Sequence, residues 1–279
     1  MKKKNIYLFE MSDIFGTQAR LPYSTGLIWS FCLENKTIRD NYNLKDWFWY
    51  KDNSNSVEKI MDKLENPEVL GLATFIWNWK FNLSLCKKVK KKWPNCLIVL
   101  GGWQPPMADR SQGFFKDYPF FDIIVHGEGE ITFLQILLEN LKKNKEWNKV
   151  KGCSLPYRLI NNNNIETFKI KDGLKIESTE KLNNPKSYTT YVTEPRKRID
   201  DLEPMPSPYL NGLFDELLKN CKYDIEGTIE TTRGCPFGCT FCEIGTKYYQ
   251  KIKTHGKAKI FREIDWLSDN KASFIYNAD

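Results

Sequence analysis

Apolar and polar positions follow two different periods along the first 145 residues, and together these periods predict alternating strands and helices. Short apolar runs predict strands at residues 5–11, 46–50, 69–77, 96–102 and 121–130. Amphipathic spacing predicts helices between them, at residues 24–35, 56–66, 82–94 and 131–144. This alternation is typical of a parallel sheet covered by helices on both faces. The sequence therefore predicts a doubly wound α/β domain whose ligand lies beyond the carboxyl ends of the strands.

The pattern changes after residue 148. Residues 157–168 predict a hairpin around an Asn-rich turn, and residues 196–212 carry three prolines that predict a stiff connector. A helix, a strand, a cysteine-rich loop, a helix and a last strand then form one βαβ unit, with the regular elements at 209–220, 223–232, 257–270 and 273–279. We therefore predict three segments: an α/β domain at 1–148, a hairpin and connector at 149–208, and a second domain that starts at 209 and runs to 279.

Composition limits the classes of function. The net charge is +7, but the densest basic run, residues 87–93, lies on a helix whose other face is apolar, so a solvated helix face explains it and nucleic acid is not an expected partner. No apolar run approaches the ~18 residues of a membrane span, and the first one stops at Glu10, too short for a signal peptide. We expect a cytoplasmic protein, with reduced thiols.

Eight cysteines in a reducing compartment indicate metal binding or catalysis where they cluster, and burial where they stand alone. Burial is the expectation for five of them, Cys32, Cys86, Cys96, Cys153 and Cys221. The other three, Cys235, Cys239 and Cys242, have the spacing C-x3-C-x2-C. Three thiolates leave one iron of a four-iron, four-sulfur (4Fe-4S) cluster with an open coordination position, as in catalytic metal sites. The alternative is a structural zinc site with Cys221 or His255 as the fourth ligand.

The stretch Arg-Gly-Cys-Pro after a strand, the cysteine spacing and the aromatic residue Phe241 before the last cysteine together resemble the radical S-adenosylmethionine (SAM) enzymes. The resemblance implies a 4Fe-4S cluster held by the three cysteines, with SAM chelating the fourth iron. It also implies reductive SAM cleavage to a 5′-deoxyadenosyl radical and an electron donor such as a flavodoxin or a ferredoxin. Phe241 would lie near the adenine.

The front domain resembles that of cobalamin-dependent radical SAM enzymes, through "LIVLGGWQP" (97–105) and "DIIVHGEGEITF" (122–133). The implied fold is a Rossmann-like, B12-binding type of sheet followed by the first βαβ unit of a truncated radical SAM partial TIM barrel. The implied cofactor-binding residues are Thr74, Gly101, Gly102, Gly127 and Glu128, with the glycines letting the backbone approach a corrin. Ordinary strand-end turns are the alternative for each glycine. The implied activity is methyl transfer to an unactivated or electron-poor carbon.

The histidines depart from the family's pattern. Many cobalamin domains carry a cobalt-ligating histidine after the first strand, but the corresponding loop, "MSDIFGTQARLPYS", has none. His126 is expected to be a packing residue, and His255 a solvated loop residue. Cobalamin, if bound, is therefore expected to lack a histidine on its lower face.

The segment after the connector has room for only one βαβ unit, whereas the partial barrel of radical SAM enzymes has six. We therefore expect a truncated or split protein, inactive on its own, whose barrel a partner chain would complete. Methylthio transfer to RNA is a second interpretation, weakened because the front-domain cysteines lack the pattern of a second cluster site. A non-catalytic module that binds a corrinoid or a structural metal is a third. The substrate, a small molecule or a peptide, is not visible in the sequence.

Overall fold

The computed structural model describes residues 2–160, 166–171, 174–181, 186 and 189–279. The strands of the first half are β1 (Lys4–Ser12), β2 (Gln18–Arg20), β3 (Tyr42–Tyr50), β4 (Pro67–Ala73), β5 (Leu97–Gly101), β6 (Ile123–Val125) and β7 (Cys153–Pro156). Those of the second half are β8 (Glu166–Lys171), β9 (Lys175–Lys181), β10 (Thr190–Val192), β11 (Asp224–Ile229), β12 (Thr232–Arg233), β13 (Lys253–Thr254) and β14 (Phe274–Asn277).

The helices of the described residues lie mostly in the first half: α1 (Tyr23–Leu33), α2 (Lys36–Asn41), α3 (Val57–Lys63), α4 (Trp79–Lys92), α5 (Phe114–Asp117), α6 (Gly129–Leu141), α7 (Leu213–Leu218) and α8 (Lys257–Asp269). None of these helices is both long and apolar enough to cross a bilayer.

The larger sheet has seven strands in the order β10-β7-β6-β5-β4-β1-β3. The five strands from β6 to β3 are parallel, as predicted, and β7 and β10 extend the sheet with antiparallel pairing. The chain is therefore a mixed α/β protein with a mainly parallel sheet. The direction of winding reverses between β1 and β4, and such a switch point leaves a crevice outside the carboxyl ends of the strands.

Alternate residues of the central strands supply two separate cores, because successive side chains of a strand point to opposite faces. Ile6 and Leu8 pack with residues of α1 and α6 on one face. Tyr7 and Phe9 pack with residues of α3, α4 and α5 on the other. Helices thus cover both faces, in the doubly wound arrangement that the sequence predicted.

A smaller sheet has the order β14-β11-β2. Strands β11 and β14 are parallel, with α8 between them in the chain, so the predicted βαβ unit is present. Strand β2 was not predicted. It belongs to the segment between β1 and α1, yet it pairs in parallel with Asp224–Glu226 of β11. Ala19 then packs with Ile225 and Leu267 in a third core, which ties the front of the chain to the βαβ unit.

The middle of the chain differs from the predicted hairpin at 157–168. Residues 157–159 form a 3₁₀ turn, and the Asn-rich residues 161–165 lie outside the described part of the chain. The hairpin strands are instead β8 and β9, which pair with Phe168 opposite Thr179.

Candidate functional site

A cavity of about 530 Å³ lies between the carboxyl ends of the central strands and the cysteine-rich loop. Its first wall is formed by the ends of β4, β5 and β6 and the loops that follow them, including Gly101, Gly102, Gly127 and Glu128. Cys235 and Cys242 line the opposite side. The structure therefore brings most of the predicted cofactor residues and two of the three predicted metal ligands to one cavity.

Thr74 and Phe241 lie elsewhere. The Thr74 side chain is fully buried, and its hydroxyl accepts a hydrogen bond from Asn82 Nδ2 of α4 at 3.2 Å, so it faces the helix. Phe241 is 91% exposed and is not part of the cavity wall. Neither residue is among those that line the cavity, where Thr74 was expected. The place of Phe241 near the adenine of a bound SAM stays a prediction.

Two of the strand-end glycines, Gly102 and Gly127, are needed for the fold of the protein even without a ligand. Gly102 has φ of 86°, and a Cβ there would lie 2.4 Å from the Thr74 carbonyl oxygen. Gly127 has φ of 70°, and a Cβ there would lie 2.6 Å from the Tyr248 hydroxyl oxygen. At both positions, the positive φ and the neighbouring protein group require glycine whether or not a ligand binds. Gly101 differs, because a Cβ there would meet only the Leu72 carbonyl oxygen, at 3.9 Å.

Backbone hydrogen bonds hold the cysteine-rich loop in its folded conformation. Cys235 N donates to Tyr249 O at 2.9 Å, and Cys242 N donates to Cys239 O at 3.2 Å. Gly234 enters the loop with φ of 123°, a conformation that side chains rarely adopt. All three cysteines are free thiols, Cys235 half-buried and Cys239 and Cys242 exposed. One loop thus carries three free thiols, one fewer than the four protein thiolates that a 4Fe-4S cluster usually takes.

Neither of the two candidates for the fourth ligand of a zinc site, His255 and Cys221, is placed to complete such a site in the described residues. His255 is buried, and its Nε2 lies 3.0 Å from Glu230 Oε2, so the expectation of a solvated loop residue was wrong. Cys221 packs at the edge of the third core, where burial raises the pKa of its thiol. Within the described ranges, no three His, Cys, Asp or Glu side chains are placed to hold a single metal ion.

Four of the five isolated cysteines are buried, as predicted, and Cys221 is partly buried. Burial raises the pKa of both Cys96 and Cys153 to about 12, because the charged thiolate would lose its hydration. Such groups remain thiols at neutral pH and are poor metal ligands. They serve as core residues.

His126 is buried and also belongs to the cavity wall. Its Nε2 lies 2.7 Å from Ser154 Oγ of β7, and the residue is 3% exposed. Burial lowers the pKa of His126 to about 3, so the imidazole is neutral near pH 7.

A buried ion pair that was not predicted from the sequence joins Glu128 to the cysteine-rich loop. Arg198 of the proline-containing connector donates from Nε to Glu128 Oε1 at 2.9 Å, and both side chains are under 8% exposed. The same guanidinium donates from Nη2 to Arg233 O at 2.8 Å and from Nη1 to Tyr249 O at 3.4 Å. Glu128 lines the cavity, but its carboxylate is already engaged by the protein.

A second buried ion pair joins Glu130 to Arg233, two residues before the first clustered cysteine. Arg233 Nη1 lies 2.9 Å from Glu130 Oε1, and Nη2 lies 2.8 Å from Glu230 Oε2. Burial alone would lower the pKa of Arg233. The carboxylates of Glu130 and Glu230 outweigh this effect, so the pKa is raised above its usual value. Burial alone would raise the pKa of Glu230, whereas hydrogen bonds from His255 and Arg233 lower it. The sequence feature that could have indicated these two ion pairs is the presence of two acidic residues, Glu128 and Glu130, directly after a buried strand.

Comparison with known proteins finds several methyltransferases. The chain is 27% identical over 262 residues to the cobalamin-dependent radical SAM methyltransferase TokK of Streptomyces tokunonensis, an alignment that covers 93% of this chain and 34% of TokK. It is 26% identical, with the same coverage, to 2-(S-pantetheinyl)-carbapenam-3-carboxylate methyltransferase of Streptantibioticus cattleyicolor. An uncharacterized methyltransferase of Synechocystis is 40% identical over 208 residues, which is 68% of this chain and 36% of that protein. No protein-family model matches the chain.

Solved structures share the fold over the whole chain. The cobalamin-dependent SAM radical enzyme OxsB, solved with aqua-cobalamin bound, matches with a TM-score of 0.60 and 17% identity, covering 100% of this chain and 34% of OxsB. The radical SAM methyltransferase TsrM of Kitasatospora setae, solved with cobalamin and a 4Fe-4S cluster bound, matches with a TM-score of 0.59 and 11% identity, covering 100% of this chain and 48% of TsrM. By sequence and by fold, the chain is thus a relative of the cobalamin-dependent radical SAM methyltransferases over a segment that spans about a third of the length of its curated relatives.

Proposed function

We propose that this chain is the cofactor-binding part of a cobalamin-dependent radical SAM methyltransferase. Cys235, Cys239 and Cys242 would hold a 4Fe-4S cluster, and the cavity would receive SAM and cobalamin. The observation that carries the proposal is the cavity itself, which has strand-end loops of the large parallel sheet on one side and two of the clustered cysteines on the other.

The chain's own residues would bind and shield these groups. The three thiolates would fix the cluster at the cavity wall and leave one iron without a protein ligand. Leu8, Leu72 and Phe133 line the interior and would keep water away from reactive species. When bound, the cluster and SAM would supply hydrogen abstraction, and cobalamin would carry the methyl group. A flavodoxin or a ferredoxin in the cytoplasm would deliver the electron.

We infer further that β11, α8 and β14 are the first βαβ unit of a partial barrel. Both β14 and β2 are edge strands of their three-stranded sheet. Exposed edges are places where further strands pair, so additional polypeptide from a longer chain or from a partner would complete the barrel and the substrate site. If these edges stay unpaired, SAM cleavage would be slow, because solvent that reaches the site would quench reactive species.

Methylthio transfer to RNA is less well supported. That activity would need three further cysteines around a second cluster. Cys32 lies in the core on one face of the large sheet, whereas Cys86 and Cys96 lie in the core on the other face. These three residues cannot hold a common cluster.

Anaerobic reconstitution with iron and sulfide tests the proposal. We expect about four iron atoms per chain, a broad iron–sulfur absorption and, after incubation with hydroxocobalamin and removal of the excess, corrin bands that stay with the protein. Cys239→Ala should abolish the iron–sulfur absorption while leaving the fold intact, since Cys239 is exposed. Cys221→Ala, the matched control, should keep it. A colourless, iron-free wild-type protein would refute the cluster, and zinc lost in both variants would favour the structural-metal alternative.

A further inference from the structure

A line of polar side chains leads from the cavity wall to α8. Glu230, which lines the cavity, lies 3.0 Å through its Oε2 from Nε2 of His255. Nδ1 of the same ring lies 3.2 Å from Nζ of Lys259 on α8. Lys259 Nζ in turn lies 4.0 Å from Oε1 of Glu263, one helical turn further along α8. His255 is 5% exposed and Glu263 is 1% exposed, so both ends of this contact to Lys259 are shielded from solvent.

The lysine fixes the tautomer of His255. An ammonium group only donates hydrogen bonds, so Nδ1 must accept from Lys259 and carries no proton. The proton of the neutral ring is therefore on Nε2, which donates to the carboxylate of Glu230. A second proton can be added only at Nδ1, and the ring would then face the ammonium with a donor and a positive charge. Protonation of His255 and its hydrogen bond to Lys259 are therefore mutually exclusive.

Glu263 offers Lys259 another partner. Within the described residues, neither carboxylate oxygen of Glu263 has a hydrogen-bond partner, although both are buried. Burial raises the pKa of this carboxyl group, and the nearby Ser207 hydroxyl and Lys259 offset the effect only in part. Buried polar atoms nearly always have partners. Lys259 would become one by moving Nζ closer by about 1 Å, to the usual length of a charged hydrogen bond.

Histidine is the side chain whose charge ordinarily changes between pH 5 and 8. Further ionisable side chains face this line from the neighbouring segments: Glu230 and Arg233 after β11, Glu203 and Tyr209 in residues 196–212, and Tyr23 of α1. The pKa shifts described above keep Glu230 and Arg233 charged at neutral pH. Burial raises the pKa of both tyrosines, so their hydroxyls stay protonated.

We propose that His255, Lys259 and Glu263 form a proton-dependent switch, in which Lys259 bonds the neutral His255 and moves to Glu263 when the ring takes up a proton. The proton would enter from the side of Lys259. This residue also lines a hollow of about 380 Å³ together with the exposed residues Glu203 and Arg262, so its ammonium lies beside the surface.

The position of the ring gives the switch an effect on the cavity. Glu130, Glu230 and Arg233 line the cavity, and these two carboxylates and one guanidinium carry one net negative charge. An imidazolium beside Glu230 would cancel that charge. The cavity wall near the cysteine-rich loop would therefore attract cations while His255 is neutral and lose this attraction when His255 is charged.

Histidine NMR tests the switch in the chain without any cofactor, because the chain has only two histidines. With ¹⁵N-labelled histidine, His255 should carry its proton on Nε2 at pH 8 and titrate between pH 5 and 8. His126 should stay neutral over this range, because burial lowers its pKa to about 3. A proton on Nδ1 of His255 at pH 8 would overturn the proposal, since Nδ1 could not then accept from Lys259. A ring that is still neutral at pH 5 would overturn it as well.

Replacing the lysine measures its hold on the ring. Lys259→Met should raise the midpoint of the His255 titration by about 1 pH unit, because the neutral ring loses a hydrogen bond and the charged ring no longer faces a cation. Lys257→Met is the matched control. It removes an exposed lysine of the same helix and should leave the midpoint nearly unchanged. Equal midpoints in the wild type and Lys259→Met would contradict the switch.

Glu263→Gln shows whether Lys259 moves between two partners. This variant should lower the midpoint by about 0.5–1 pH unit, because the displaced ammonium loses its carboxylate. In the Lys259→Met background, the same change should have less than about half of that effect, since Glu263 acts through Lys259. Equal shifts with and without Lys259 would overturn the switch and indicate a fixed network whose charges act on the ring directly.

Discussion

The guanidinium of Arg198 lies 2.9 Å from the carboxylate of Glu128, and both side chains are almost completely buried. Arg198 belongs to the proline-containing connector, and Glu128 follows the strand β6 of the large sheet. The same arginine holds the carbonyl oxygens of Arg233 and Tyr249, which lie on the two sides of the cysteine cluster in the chain. This ion pair therefore links the large sheet to the cysteine-rich loop and helps to fix the conformation of the loop.

Replacing this arginine should loosen the loop in the protein without any cofactor. Arg198→Met removes charge-assisted hydrogen bonds, each worth about 1.5–3 kcal/mol, and leaves Glu128 buried without its cation. Local opening should then become easier, and amide exchange of residues 233–251 should accelerate about tenfold or more. Hydrogen–deuterium exchange followed by mass spectrometry measures this.

Arg196→Met provides the comparison, because Arg196 is a neighbour that bonds Thr132 and Gln135 of α6 and not the cysteine-rich loop. In Arg196→Met, the amide hydrogens of residues 233–251 should exchange at the wild-type rate. Equal exchange of the loop in both variants would show that the ion pair does not position the cysteines.

Stability should fall with acid in a way that depends on His126. Its pKa is about 3 in the folded protein because of burial, against 6.5 for an unperturbed histidine. The unfolded chain therefore binds the additional proton between these values, so this stabilising contribution is complete above pH 6.5 and is lost as the pH falls towards 3. The slope is about 1.4 kcal/mol per pH unit within that window.

Urea unfolding at pH 7, 5 and 4 of the wild type and of His126→Gln measures the contribution. Glutamine can keep the hydrogen bond to Ser154 but does not titrate. As the pH falls, the free energy of unfolding should decrease more in the wild type than in the variant. Other titrating groups are the same in both proteins, so subtracting one decrease from the other leaves the contribution of His126. Parallel losses in the two proteins would mean that His126 is accessible to protons in the folded state.

Gly102 should tolerate alanine much less well than Gly113. Both have positive φ, 86° and 80°, so each substitution carries a conformational cost of about 1 kcal/mol. A Cβ at Gly113 meets nothing within 4 Å, whereas a Cβ at Gly102 would lie 2.4 Å from the Thr74 carbonyl oxygen. Gly102→Ala should therefore lose about 2 kcal/mol more than Gly113→Ala in denaturant unfolding. Similar losses would show that the β4 and β5 ends can separate freely.

The sequence was sufficient for elements with a strong local pattern. The five parallel strands of the large sheet contain apolar runs, and period located them together with α1, α3, α4 and α6. The short helices α2 and α5 were not predicted. Strand β2 could not be found this way, because it has three residues and its partner in β11 lies more than 200 residues further along the chain. Strands β7 and β10 are similarly short, at four and three residues.

For the site, spacing located the cysteines but could not show what surrounds them. His255 was assigned to solvent because its neighbours in sequence are polar, yet Glu230 provides a buried partner from the end of β11. Thr74 follows a buried strand, as expected for a site residue, but the direction of its side chain is decided by Asn82 one helix turn into α4. Ion pairs such as Glu128 with Arg198 depend on contacts between distant segments, which a local pattern does not contain.

The pairing of β2 with β11 restricts how anything can reach the cavity. A hinge that swung the small sheet away from the large one would have to break the three residue pairs of that ladder and pull Ala19 and Leu21 out of the third core. Opening by such a swing is therefore costly. The two sheets should therefore stay together when a ligand enters or leaves the cavity, and access should depend on local movements of loops.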